Sequence, residues 1–185
     1  VFLKGHGERR IADDDNTSYS KLVTELKAKG FNPEAHNLLL SALPADTAVL
    51  VLASPDRELL EGEIDHIKTY INDGGNLLWM MDPGEMQGTD ELASLLGIRF
   101  HPGMIVDNNT NLRNTLRIQH PAMVPVLDYV AHPVTEDIQY NTLFPISRGI
   151  EQVDKQFNGS AIALALAQSW SETSAVIEDI VFEPD

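Results

Sequence analysis

Ala48-Val49-Leu50-Val51-Leu52-Ala53-Ser54-Pro55-Asp56 is the stretch on which the fold turns. Six consecutive apolar residues, two of them valine, close on a serine, a proline and an acid. An unbroken apolar run of this length, bounded by turn formers, marks a strand buried on both faces, as in a parallel sheet. On its C-terminal side the period changes: Leu60, Ile64, Ile67 and Ile71 recur at spacings of 4, 3 and 4. That is one stripe of an amphipathic helix, stopped at Gly74-Gly75. Asn76 to Met81 reads as another buried strand, ending at Asp82-Pro83-Gly84, and a shorter helix over Asp90 to Leu96 stops at Gly97. On the N-terminal side, Val1 to Lys4 is a short apolar strand that ends at Gly5-His6-Gly7-Glu8. A helix starts at about Ser18, with Tyr19, Leu22, Val23 and Leu26 on one face. Ser18 suits its N-cap and Gly30 its left-handed stop. His36 to Leu40 reads as a strand closed by Leu43-Pro44.

The order β-α-β-β-α-β-α predicts an α/β fold: a mainly parallel sheet in three layers, flavodoxin-like, with helices on both faces. The second half carries added β elements. Ile98 to Val106 predicts one or two strands broken at Pro102-Gly103, and Leu116 to Gln119 a further strand. Asn108 to Asn114, with four asparagines, predicts a polar loop, and Pro121 to Val130 an irregular stretch or short helix. Asn158-Gly159 has the composition of a tight hairpin turn joining Val153–Phe157 to Ser160–Ala167. Ala175 to Phe182 reads as a final strand.

Length and charge bound the function. The 185 residues, 43% of them hydrophobic, suffice for a single domain over 1–185 with a real core. The longest purely apolar stretch, Ala161 to Ala167, is far short of the roughly 20 residues that cross a bilayer. The chain opens inside a strand without an initiating Met or a signal-peptide pattern. It is therefore expected to be a fragment whose targeting or membrane segments lie outside these residues. A formal charge of −15, from 28 acidic against 13 basic residues, argues against nucleic acid and anionic lipid as partners. With no cysteine, disulfides, thiolate nucleophiles and Cys-type zinc sites are excluded.

In open parallel sheets ligands bind beyond the carboxyl ends of the strands. Three strands end there in Gly5-His6-Gly7-Glu8, Ser54-Pro55-Asp56 and Asp82-Pro83-Gly84, which nominates His6, Gly7, Glu8, Asp56 and Asp82 as ligand-binding candidates. The competing reading is that Gly and Pro end strands and the acids cap helices. A dinucleotide fingerprint fails, because Arg10 stands at the third glycine and an Asp-rich loop precedes the helix. Asp13-Asp14-Asp15-Asn16 fails the EF-hand pattern at Ser18 and Thr24, leaving a solvated acidic loop. His101, His120 and His132 each precede proline, without the short spacing of a metal site. No metal or cofactor is expected. Gly-x-Ser-x-Gly and phosphate-binding Gly-rich loops are both absent from the sequence, so no catalytic set is named.

The order of several short motifs carries a resemblance. These are Phe2-Leu3-Lys4-Gly5-His6-Gly7-Glu8, the run Pro44 to Pro55, Glu63, Tyr70, Gly74-Gly75-Asn76-Leu77-Leu78 and Asp82-Pro83. Downstream come His132-Pro133-Val134-Thr135 and Gln168-Ser169-Trp170-Ser171-Glu172. The series resembles the extracytoplasmic domain of ABC-transporter auxiliary, substrate-binding-like proteins of the gliding-motility-associated type. The resemblance implies a membrane-anchored parent working beside permease and ATPase subunits, with this domain on the periplasmic side. It also implies a fold similar to class I glutamine amidotransferases, whose chemistry needs a cysteine that this chain lacks. The expected function is therefore a non-catalytic binding or scaffold domain of a transport system. One alternative is a small-ligand receptor for sugar or peptide, with His132 and Trp170 as further contacts. The other is a carboxylate-dependent hydrolase at the strand edge.

Overall fold

Phe2 and Leu3 form strand β1 (Phe2–Leu3) at the centre of a parallel sheet, and a computed structural model describes residues 1–12 and 18–174 of the chain. The residues divide into two compact units: Val1–Met81 with Glu85–Leu95, and Asp82–Gly84 with the chain from Leu96 onward.

The first unit contains β1, α1 (Ser20–Ala28), β2 (Ala35–His36), β3 (Val49–Ala53), α2 (Glu61–Asn72), β4 (Asn76–Met80) and α3 (Asp90–Leu96 as far as Leu95). Its four strands are all parallel, in the order β2-β1-β3-β4. Register follows the apolar run: Val49, Val51 and Ala53 lie opposite Asn76, Leu78 and Met80. Phe2, Val51 and Ala53 are buried together, with Ile11, Tyr19, Leu26 and Met80 packed against them. Leu50 and Leu52 alternate with that set and are fully buried, as are Ile67 of α2 and Leu92 of α3. Each such side chain contributes roughly 1.5–3 kcal/mol of hydrophobic stabilisation. Tyr70 fastens the end of α2: its hydroxyl donates to the Thr47 and Asn76 carbonyls and accepts the Asn76 N–H.

Several expectations for this unit need correction. Asn76 to Met81 is not a buried strand. β4 pairs on one side only, which leaves Leu78 45% exposed. The strand expected over His36 to Leu40 stops at His36, because Asn37 turns the chain: its Oδ1 accepts the Leu39 N–H and its carbonyl the Leu40 N–H. Tyr19, not Ser18, is the N-cap of α1 and makes no side-chain capping bond. Gly30 does take the left-handed conformation, at φ +84°.

The second unit is antiparallel. β5 (Ile98–Phe100) pairs with β9 (Ile150–Gln152), β6 (Met104–Val106) with β10 (Trp170–Glu172), and β7 (Met123–Val126) with β8 (Thr142–Pro145). The expected break at Pro102-Gly103 falls between β5 and β6. Where a polar loop was expected, Thr110–Leu116 is a helix, α4, because the Asn109 side chain accepts the Leu112 N–H and caps it. Leu116 to Gln119 is consequently no strand: Leu116 ends α4 and Arg117 follows at φ +57°. Where Pro121 to Val130 was expected to be irregular or a short helix, Met123–Val126 forms β7. Its sheet has only two strands, so a proline N-side can face away from the ladder. Asn158-Gly159 makes no hairpin. β9 pairs with the distant β5, and the Val153 and Asp154 N–H groups both donate to the Gly97 carbonyl. The strand expected over Ala175 to Phe182, like the acidic loop Asp13 to Asn16, lies outside the described residues.

Candidate functional site

The loop after β1 is built around the main chain of His6. Its carbonyl accepts two N–H groups from the loop after β3, Asp56 at 2.8 Å and Arg57 at 3.0 Å. Arg9 N–H returns the tie to the Ala53 carbonyl at 3.0 Å. Gly7 sits at φ +77°, a left-handed conformation that favours glycine, with the Asp56 carboxylate lying over its open side.

The side chains at this strand end turn inward. His6, Glu8 and Glu63 are 8%, 6% and 4% exposed. Glu8 Oε2 accepts the His6 N–H at 2.7 Å, while Glu8 Oε1 lies 3.8 Å from His6 Nδ1. On the other side, His6 Nε2 is 3.1 Å from Glu63 Oε2. That same oxygen accepts the Leu60 N–H at 3.0 Å, in the first turn of α2. Leu60 has no side-chain acceptor to return the bond, so Glu63 caps α2 from one side only. A carboxylate can only accept, which assigns the proton of this contact to Nε2. The imidazole thus stands between two carboxylates, and each carboxylate is also held by a main-chain N–H. A buried carboxylate is tolerable only with such partners. Chemically the arrangement fixes the loop after β1 to the start of α2.

Glu63 was not among the nominated residues. The signal was present: position 63 lies three after Leu60 and four before Ile67, on the apolar stripe of α2, and an acid there faces inward. Asp56, by contrast, is exposed, with its carboxylate 3.7 Å from Arg57 Nε. The structure thus brings His6, Gly7, Glu8 and Asp56 together in the first unit.

Asp82, His132 and Trp170 belong to the second unit. The Asp82 and Gly84 carbonyls accept from Arg148 Nη1 at 3.4 and 3.2 Å, and the same guanidinium donates to the His101 carbonyl and lies over the Phe100 ring. Burial pulls the Arg148 guanidinium below its ordinary value. Trp170 packs against buried Val106 and Ala122, and its indole N–H donates to Glu172 Oε2 at 3.2 Å. His132 lies in the loop between β7 and β8. Its Nδ1 accepts the Val134 N–H, and Thr135 Oγ1 donates to the Val130 and His132 carbonyls. With Val126 paired to Thr142 at its base, this segment is an Ω-type loop around a solvent-open cavity of about 650 Å³.

Among the described residues, no group of three or more His, Asp and Glu is arranged to hold a metal ion. Among the same residues, no helix is long and apolar enough to cross a membrane.

Comparison with known proteins bears on the fold and the family. Among solved structures, the chain is similar to the mmIFT52 N-terminal domain, with a TM-score of 0.66 and 16% identity, over 92% of this chain and 74% of that one. At that identity the likeness speaks for the fold alone. No curated protein matches the chain. The profile of the family described as an ABC-type uncharacterized transport system, whose members are auxiliary components, matches residues 1–171, and the chain belongs to that family.

Proposed function

We propose that this chain is a non-catalytic binding or scaffold domain of its ABC-type transport system. The observation that carries the reading is the strand edge itself. His6, Glu8 and Glu63 are buried and hydrogen-bonded to one another or to the main chain, as structural groups are. The finer setting belongs to the same proposal. The domain lies on the extracytoplasmic, periplasmic side, anchored by other segments of its parent, in a gliding-motility-type system beside permease and ATPase subunits. Its scaffold is the three-layer, flavodoxin- and amidotransferase-like one, used for assembly rather than chemistry. The test is affinity capture of the tagged parent protein from its own membranes, with recovery of the ATPase and permease expected. Failure to recover either removes the assembly role. Turnover of ester, glycoside or peptide substrates by the purified chain, abolished by Glu8→Gln, overturns the non-catalytic reading in favour of a hydrolase.

A second reading, a small-ligand receptor for sugar or peptide, is supported by the cavity around His132 in the second unit.

A further inference from the structure

The cavity between β7 and β8 has a chemistry of its own. At about 650 Å³ it falls within the size range of small-ligand sites. One continuous segment lines it, 127–141, and that segment is held in shape from within. Tyr129 pairs with Ala163 in a β-bridge, Tyr129 OH meets Thr142 Oγ1 at 2.6 Å, and buried Thr135 ties Val130 to His132. The loop therefore does not need a ligand to form its cavity.

The lining combines three kinds of group. Asp128 and Glu136 are exposed carboxylates. Tyr129 and Tyr140 add aromatic rings, and Tyr140 is 82% exposed. Val130 and Ile138 add partly exposed apolar surface. No lysine or arginine stands among the lining residues.

This composition, with two carboxylates and no lysine or arginine, disfavours anions. It suits a cation on an apolar stem: methylenes against Val130 and Ile138, the charged head beside Asp128, Glu136 and an aromatic ring. We infer that the 127–141 cavity is a docking site for an arginine or lysine side chain within a peptide segment of a partner. The inference rests on the receptor reading of this cavity and narrows its ligand class.

The experiment is amide chemical-shift mapping on the 185-residue chain. The probe is a blocked tripeptide, acetyl-Gly-Arg-Gly-amide. Comparison probes are the same peptide with citrulline, which is isosteric but uncharged, then agmatine, then maltose. Shifts confined to 127–141 are expected with the arginine peptide, at an affinity on the order of millimolar, as suits one exposed ion pair. The Asp128→Asn/Glu136→Gln double variant removes both charges at near-constant shape and is expected to weaken binding roughly threefold to fivefold. Its unperturbed spectrum outside the loop controls for folding. Equal binding of arginine and citrulline peptides, or of wild type and double variant, overturns the inference. So do shifts scattered over other acidic surfaces, or agmatine binding more tightly than the peptide. Maltose or the citrulline peptide binding in the cavity overturns the cationic assignment and leaves the receptor reading standing. Silence from every probe removes both.

Discussion

Glu63 does more than any other single side chain at the β1 edge, because one oxygen serves both the His6 ring and the Leu60 N–H. Truncation to alanine leaves two donors without an acceptor, one of them on a buried ring. The expected loss for Glu63→Ala is about 2 kcal/mol, the usual cost of stranding buried hydrogen-bond donors. Glu63→Gln keeps an acceptor oxygen and should lose roughly half as much. Urea denaturation of the two variants checks both, and an alanine variant as stable as wild type would sink the structural reading of the cluster. The residue also marks the limit of what could be read in advance. His6, Glu8 and Asp56 were legible, because strand ends in a parallel sheet announce themselves through Gly, Pro and acids. An acid in a helical first turn is equally well read as a partner for the helix dipole. Only its place on the apolar stripe distinguishes the inward case.

At the scale of elements, the two halves differ in how loudly the chain speaks. β3 and α2, 5 and 12 residues, are long enough to be legible, the strand as an unbroken apolar run and the helix by the spacing of its stripe. β5, β6, β9 and β10 have three residues each, too few to show alternation. Their partners are also remote: Arg99 pairs with Glu151, and Met104 with Glu172. Local reasoning cannot find such pairs, and the nearest turn signal, Asn158-Gly159, pointed to a hairpin that the long-range pairing replaces. Two predictions belong here. Asn109→Ala removes the side-chain bond that caps α4 and should cost about 1 kcal/mol, read by urea denaturation. Gly103→Ala should cost more, at least about 2 kcal/mol, because strain at φ +71° adds to displacement of a neighbouring strand. A Cβ at Gly103 would lie 2.0 Å from the Glu172 carbonyl oxygen, so β10 must retreat from β6. Trp170 lies in β10, so its fluorescence should shift to longer wavelength in a Trp79→Phe background. An unchanged spectrum would mean that the pairing survives.

For the molecule as a whole, the question is what an excess of 15 negative charges does to stability as pH falls. Two effects oppose each other. Protonating carboxylates relieves self-repulsion and favours the compact state. Against it stand carboxylates that the native structure specifically holds ionised. The Arg99 hydrogen bond, with further help from the charges of Arg99 and His101, lowers the Glu151 carboxyl below its ordinary value. Hydrogen bonds from Ser174 and Trp170 do the same for Glu172. A native value below the unfolded one means that the unfolded chain binds more protons in the window between them. Stability therefore rises with pH across that window. The contribution is complete above the ordinary glutamate value, about 4.3, and is lost as pH falls through the lowered native values. Both residues are only half-buried, so the effect is small and open to screening. The melting temperature of wild type should then fall below pH of about 4.3, and Glu151→Gln should flatten that acid limb without abolishing it, since Glu172 remains. In roughly 1 M sodium chloride, where the Debye length shrinks to about 3 Å, the two profiles should converge. An acid limb identical in wild type and Glu151→Gln at low salt would show that Glu151 contributes nothing to the acid response of the chain.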